Sequence, residues 1–64
     1  MKKLLKDYLG DDKPLVHVFM KDDKIYEKMR IEKLSETAFR GRIEGGPVYI
    51  IQYDEVKLIK CMNP

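Results

Sequence analysis

Tyr53 and Gln52 are the residues of this sequence best suited to contact a nucleobase. They are neighbours at a corner where a strand-like segment rich in Val, Ile and Tyr gives way to Asp54-Glu55. An aromatic ring can stack on a base, and a glutamine amide can form hydrogen bonds at a base edge. The position is equally suited to packing a tyrosine ring in a protein interface, and both interpretations remain open.

Basic residues that could meet phosphate groups fall in three segments of the chain. Arg40 and Arg42 share a face of one predicted strand, because residues two apart point to the same side of a sheet. The alternative for these arginines is a solvated outer face on which they pair with Glu27 or Glu32. The lysines near the N-terminus could equally serve only solubility. The further candidates are Lys57 and Lys60 on the last predicted strand and Lys2, Lys3 and Lys6 near the N-terminus.

The sequence gives no sign of a catalytic or metal centre. His17, the one histidine, alternates with apolar neighbours, so we predict a buried or half-buried side chain that is satisfied by the backbone. No nucleophile or base stands at a spacing that would use it. Asp22-Asp23 is typical of a turn rather than of a calcium loop, and Gly45-Gly46 lacks the strand-to-helix context of a phosphate loop. We therefore expect a protein that is not an enzyme and has no cofactor or metal.

Length and composition point to one small folded domain. The chain has 64 residues, of which 44% are hydrophobic and 38% are charged, a balance typical of folded rather than disordered proteins. Cys61 is the single cysteine, so neither an internal disulfide nor a four-ligand zinc site of Cys and His can staple the fold. A core this small gives only low stability, and oligomerisation is the remaining way to bury more surface.

The apolar runs and charges also bear on location and partners. Apolar runs such as residues 15–16 and 48–51 are far shorter than the roughly 20 residues needed to span a bilayer. Lys6 and Asp7 interrupt the N-terminal apolar stretch before a signal peptide could form. We therefore expect a mature cytoplasmic protein without membrane contact. The net charge of +2 does not by itself indicate a nucleic-acid binder.

Hydrophobic spacing predicts one helix and then strands. Apolar residues between Leu4 and Leu9 lie on one side of a helix over residues 1–10, which Gly10 would end with a left-handed cap. Glu44-Gly45-Gly46-Pro47 is a strong hairpin signal, because glycine readily adopts positive φ and proline cannot continue a ladder. The five predicted strands are residues 15–20, 25–34, 37–43, 48–53 and 56–62.

Alternation within these strands predicts which side chains face the core. In the second strand Ile25, Met29 and Ile31 are placed on one face, and in the fifth Val56 and Leu58 are placed opposite Lys57 and Ile59. The second strand is long enough to bend across two sheets. We therefore predict a mainly β fold in one domain, residues 1–64: a short N-terminal α-helix followed, over residues 15–62, by a five-stranded, strongly bent antiparallel SH3-like barrel. The alternative is an open meander that uses the helix as its lid.

The order and composition of these elements resemble the Sm-like (LSm) family, in particular its Hfq group of bacterial RNA chaperones. The resemblance runs from about Leu4 to Lys60. It rests on Lys13-Pro14 and the valine-rich segment after it, on Ile31-Glu32-Lys33-Leu34, and on the closing Asp54-Glu55-Val56-Lys57-Leu58-Ile59. Three departures stand out. Asp22-Asp23-Lys24 replaces an Asn-Gly turn, and Met29 is nearest the place of a glycine that lets the second strand bend. The place of a Tyr-Lys-His corner is taken by Gln52-Tyr53-Asp54, or by Ile50-Ile51 if the alignment starts from Val48-Tyr49.

This resemblance implies an Sm-like barrel, a homo-oligomeric ring and single-stranded RNA as partner. Rings of six or seven subunits form in the family when strand four of one subunit pairs with strand five of the next. The alternatives are a smaller oligomer and a closed monomeric barrel. The residues implied at the interface are Val48, Tyr49, Ile50, Ile51, Val56, Leu58 and Ile59.

Two functional hypotheses follow from the sequence. The first is a non-enzymatic, ring-forming, Hfq-like protein that binds short single-stranded RNA, as an RNA chaperone or post-transcriptional regulator. The second is a small β-barrel interaction module, for example an inhibitor or adaptor of a phage or mobile element, that docks a protein partner by strand addition without RNA. The near-neutral charge and the altered corner favour the second.

Overall fold

The computed structural model describes residues 1–62, so the last two residues of the predicted domain lie outside it. The predicted order of one helix and five strands is confirmed. The helix is shorter than predicted: α1 is a single turn that continues as a 3-10 turn over Lys6–Tyr8, and Gly10 follows with a φ of 126°. The elements are α1 Lys2–Leu5, β1 Val16–Met20, β2 Ile25–Leu34, β3 Ala38–Ile43, β4 Val48–Gln52 and β5 Val56–Cys61, with a second 3-10 turn, Tyr53–Glu55, between β4 and β5.

The five strands form one antiparallel sheet in the order β4-β3-β2-β1-β5. Each tight connection joins spatial neighbours, except that the Tyr53–Glu55 turn carries the chain from one edge of the sheet to the other. Over residues 1–62, β4 and β5 do not pair with each other. The sheet is therefore bent but open, and not a barrel closed by hydrogen bonds.

The sheet curls around its own core. The Cα trace measures 26 × 23 × 23 Å, whereas a flat layer of five strands would be much thinner in one direction. Leu5 of α1 is fully buried, so the helical turn packs onto the core. The buried core consists of Leu5, Val16, Val18, Met20, Met29, Ile31, Phe39, Ile51 and Val56.

Within β2, the side chains change face at Lys28. Lys28 has a φ of 58°, in the left-handed region that a lysine seldom adopts, and the pairing of β2 with β1 shifts register nearby. Tyr26 therefore packs against the core, and Ile25 is 47% exposed. The prediction that Ile25 shares the core face with Met29 was wrong, because this irregularity breaks the two-residue alternation.

A second irregularity, in β5, changes the face of the sheet on which the side chains lie. Phe19 pairs with Leu58 but the next residue, Met20, pairs with Val56, so Lys57 is an extra residue in the ladder. Val56 is buried and Ile59 packs against the core, whereas Leu58 is 38% exposed. The predicted grouping of Val56 with Leu58 was therefore wrong.

β3 keeps the alternation that its sequence predicts. Phe39 and Gly41 are buried, and the arginines between and after them are exposed. Gly41 is required by close packing, because a Cβ there would overlap the side chain of the buried Met29 on β2. Gly45 has a φ of 73° in the hairpin, as its predicted turn requires.

Polar contacts anchor the N-terminal segment to β2. The N–H of Gly10 donates to the carbonyl of Ile31 at 3.2 Å, and Leu9 forms an isolated parallel bridge with Ile31. Nη1 of Arg30 donates to the carbonyls of Gly10, at 3.2 Å, and Lys13. The connector before β1 is thus tied down by one guanidinium group.

Candidate nucleic-acid interface

β4 presents a free backbone edge. Its ladder with β3 is bounded by a bond from the N–H of Ile43 to the carbonyl of Pro47, at 3.0 Å, and one from the N–H of Tyr53 to the carbonyl of Thr37, also 3.0 Å. Hydrogen-bonded pairs alternate in an antiparallel ladder, so the odd-numbered residues of β4 bond to β3. The peptide groups of Val48, Ile50 and Gln52 therefore face away from the sheet.

β5 presents a second free edge at the opposite end of the sheet. The N–H of Met62 donates to the carbonyl of Leu15 at 3.0 Å, and the same pairing continues to Lys60 and Leu58 by alternation. The peptide groups of Ile59 and Cys61 consequently point outward. Within residues 1–62, both ends of the sheet thus carry donors and acceptors that lack a neighbouring strand.

Some of the residues predicted for an oligomer interface are exposed, and the others are buried in the core or packed against it. Ile50 is the most exposed, at 69%, and Val48 and Leu58 are also exposed. Tyr49 and Ile59 pack partly against the core, and Ile51 and Val56 are buried in it. Only the exposed members of the predicted set could therefore offer their side chains to another chain.

Tyr53 is held in place by contacts within its own chain. Its hydroxyl donates to the carbonyl of Ser35 at 2.7 Å, and its ring stacks on Phe39 with centroids 5.8 Å apart and planes 21° apart. Gln52 is exposed and lines a shallow surface pocket with Thr37, Tyr53 and Asp54. The structure thus places the two predicted base contacts side by side, with one face of the tyrosine ring already occupied.

Arg40 and Arg42 both pair with Glu32, one of the two partners that the sequence suggests. Nε of Arg42 donates to Oε2 at 2.7 Å, and Nε of Arg40 lies 3.4 Å from Oε1. The hydrogen bond from Arg42 lowers the pKa of Glu32 below its ordinary value, and the charges of Arg42 and Arg40 lower it further, while partial burial acts in the opposite direction. Glu32 is therefore held as an anion between two cations.

The remaining basic candidates lie elsewhere. Lys57 is exposed on β5, which two strands separate from β3 in the sheet. Lys2 lies 3.7 Å from the carboxylate of Glu36, and Lys3 and Lys6 are exposed near α1. The structure therefore does not gather the predicted cations into one patch.

An exposed apolar row that the sequence reasoning missed crosses the outer face of β2, β1 and β5. Phe19 is half-buried and has Ile25 and Leu58 as its direct cross-strand partners, both exposed. Nζ of Lys60 lies 5.6 Å from the centroid of the Phe19 ring. Because Val16, Val18 and Met20 alternate inward, the opposite orientation of Phe19 could have been predicted from its position in β1.

His17 is placed as the sequence predicts. It is half-buried on the outer side of β1, and its Nδ1 accepts a hydrogen bond from the N–H of Lys28 at 3.4 Å. This contact satisfies the peptide group at the irregularity of β2, so the histidine has a structural role.

Comparison with protein families, with curated proteins and with solved structures found no match to this chain. Among the helical segments of residues 1–62, none has the length and apolar character that crossing a bilayer requires.

Proposed function

We propose that this protein is a divergent Sm-like, Hfq-like protein that assembles into a ring and binds short single-stranded RNA. The observation that carries the proposal is the pair of open edges: β4 and β5 end the same sheet, and both present unpaired peptide groups. Edge strands of this kind invite pairing with another chain.

Pairing β4 of one copy with β5 of the next would satisfy both edges at once. The contact is heterologous, so copies follow one another until rotation closes a ring. It would also cover Ile50 and Val48, which are exposed in the single chain. The added buried area would compensate for a core of only moderate size.

RNA contact is supported by the row of Phe19, Ile25 and Leu58 with its adjacent Lys60. A half-exposed aromatic ring flanked by aliphatic side chains can stack a base, and the ammonium group can meet a phosphate. Repetition around a ring multiplies one weak site into a set of sites that a single strand can reach together.

The second candidate function is a protein-interaction module that accepts a strand from a partner. The free β4 edge favours it, since main-chain hydrogen bonds and the exposed Ile50 are what strand addition uses. The pairing of Arg40 and Arg42 with Glu32 also favours it, because it reduces the positive charge available to RNA.

Light scattering and RNA binding together test the first proposal. We expect a solution mass of six or seven chains, and binding of fluorescent oligo-U or oligo-A that weakens as salt rises. A monomer that binds neither strand would overturn the proposal. A ring that binds neither strand would leave only the assembly part and would favour the interaction module.

A further inference from the structure

The outer face of β2 and β3 carries like charges directly opposite each other. Arg30 pairs with Arg42 across the ladder, and Lys33 pairs with Arg40. Like charges in opposite cross-strand positions destabilise a sheet. Two such pairs in succession concentrate positive charge on this face of the sheet.

Glu32 enters this face through an irregularity in β2. The register shifts between Ile31 and Lys33, so Glu32 is an extra residue whose carboxylate reaches both arginines. Its side chain is only 19% exposed, whereas those of Arg40 and Arg42 are 47% and 52% exposed. Each guanidinium group carries five N–H donors, so both keep donors directed to solvent while they contact the carboxylate.

The remaining charges leave this cluster positive. Arg30 turns its guanidinium group to backbone carbonyls of the N-terminal connector. Among the ion pairs of residues 1–62, none involves Lys33. The three cations Lys33, Arg40 and Arg42 against the one anion Glu32 give a local charge of +2. Asp11 and Glu44 line the depression beside Arg42, so an anion would approach from the side of Arg40 and Lys33.

We propose that Lys33, Arg40 and Arg42 bind consecutive phosphates of a single-stranded RNA backbone, and that Glu32 competes with the RNA for the two guanidinium groups. This inference rests on the proposed function. Residues two apart in a strand are separated by about 6.6 Å, which suits neighbouring phosphates of an extended strand. Guanidinium groups match phosphate in geometry as they match the carboxylate. Gln52, which follows the cross-strand partner of Arg40 by two residues on β4, would lie beside the bases.

Removing the competing charge tests this assignment directly. In E32Q, we expect the affinity for oligo-U to rise about threefold to tenfold, since two exposed ion pairs no longer have to be replaced. An abasic strand of the same length should show the same gain, because it keeps the phosphates. E27Q is the matched control: it changes the net charge equally from an exposed position on β2, and we expect a much smaller gain.

Removing the cations should have the opposite effect. In the double variant R40Q/R42Q, we expect weaker binding and a slope of log affinity against log salt that falls by about 0.7 for each lost phosphate contact. The control K21Q/K24Q removes two charges from the exposed turn before β2 and should leave more of the affinity. If E32Q does not fold, as judged by circular dichroism, this pair of double variants and their salt slopes decide the question.

The outcomes separate this inference from the proposed function. If the wild-type chain binds oligo-U but E32Q matches E27Q and R40Q/R42Q matches K21Q/K24Q, the phosphate assignment is overturned and RNA binding stands. A gain of E32Q for an oligo-glutamate peptide without a gain for the abasic strand would also overturn it, and would identify the cluster as a site for acidic protein. If no variant binds any strand, the proposed function is overturned as well.

Discussion

Gly41 shows how closely β2 and β3 approach. Since a Cβ at this position would overlap the side chain of Met29, we expect Gly41→Ala to destabilise the fold by about 1–3 kcal/mol through overpacking. Urea unfolding at fixed protein concentration measures the change. Gly46→Ala is the control, because its Cβ would meet Ile43 at 3.4 Å, an ordinary contact distance. Equal effects of the two substitutions would contradict the packing argument.

Glu32 should make stability depend on pH. Its pKa in the folded protein is lowered from the ordinary value of 4.5, mainly by the hydrogen bond from Arg42. The stabilisation is therefore complete above the ordinary pKa and is lost as the pH falls through the lower, folded value. We expect the difference in unfolding free energy between the wild type and E32Q to shrink as the pH is lowered from 7 toward 3, as measured by urea unfolding. A difference that stays constant over this range, or one that E27Q reproduces, would contradict the assignment.

The single turn of α1 depends on the burial of Leu5 for its stability. Four residues are too few for a stable isolated helix, so docking of Leu5 must supply its order. We expect Leu5→Ala to cost about 2–5 kcal/mol as a large-to-small core substitution. The neighbouring Leu4 is 47% exposed, so Leu4→Ala should change the free energy of unfolding far less. Thermal melts of the two variants would detect the contrast, and similar losses would contradict the burial of Leu5.

The edge of β4 allows a substitution aimed at assembly alone. The N–H of Ile50 faces away from β3, so Ile50→Pro removes a donor from the free edge and leaves the internal ladder intact. We expect a folded monomer by circular dichroism and light scattering. Ile50→Ala, which keeps the N–H, should retain assembly to a greater degree. Persistence of the full assembly in Ile50→Pro would exclude β4 as the contacting edge.

Under the proposed function, affinity for RNA should depend on assembly of the ring. One chain carries a net charge of only +2, and its candidate contacts are separate from one another on the sheet. We expect the monomer produced by Ile50→Pro to bind oligo-U at least about a hundredfold more weakly than the wild type, because the gain from several linked sites is lost. Fluorescence anisotropy at constant salt measures this change. An undiminished affinity would place the binding site within a single chain.

Much of the architecture follows from local chemistry in the sequence. The element order, the Gly45-Gly46 hairpin and the alternation of β3 depend on neighbours along the chain, so periodicity and turn residues were enough to predict them. The sequence also limited the acidic partners of Arg40 and Arg42 to two glutamates, because few cross-strand partners lie on one solvent-exposed face. Glu32 is the partner in the structure.

The irregular positions required the folded arrangement. The face change at Lys28 and the extra residue at Lys57 come from register between strands, which residues far apart in the chain fix together. Those shifts expose Ile25 and Leu58 beside Phe19. Two-residue alternation holds within a regular strand. It fails at a β-bulge, where one strand carries an extra residue relative to its partner.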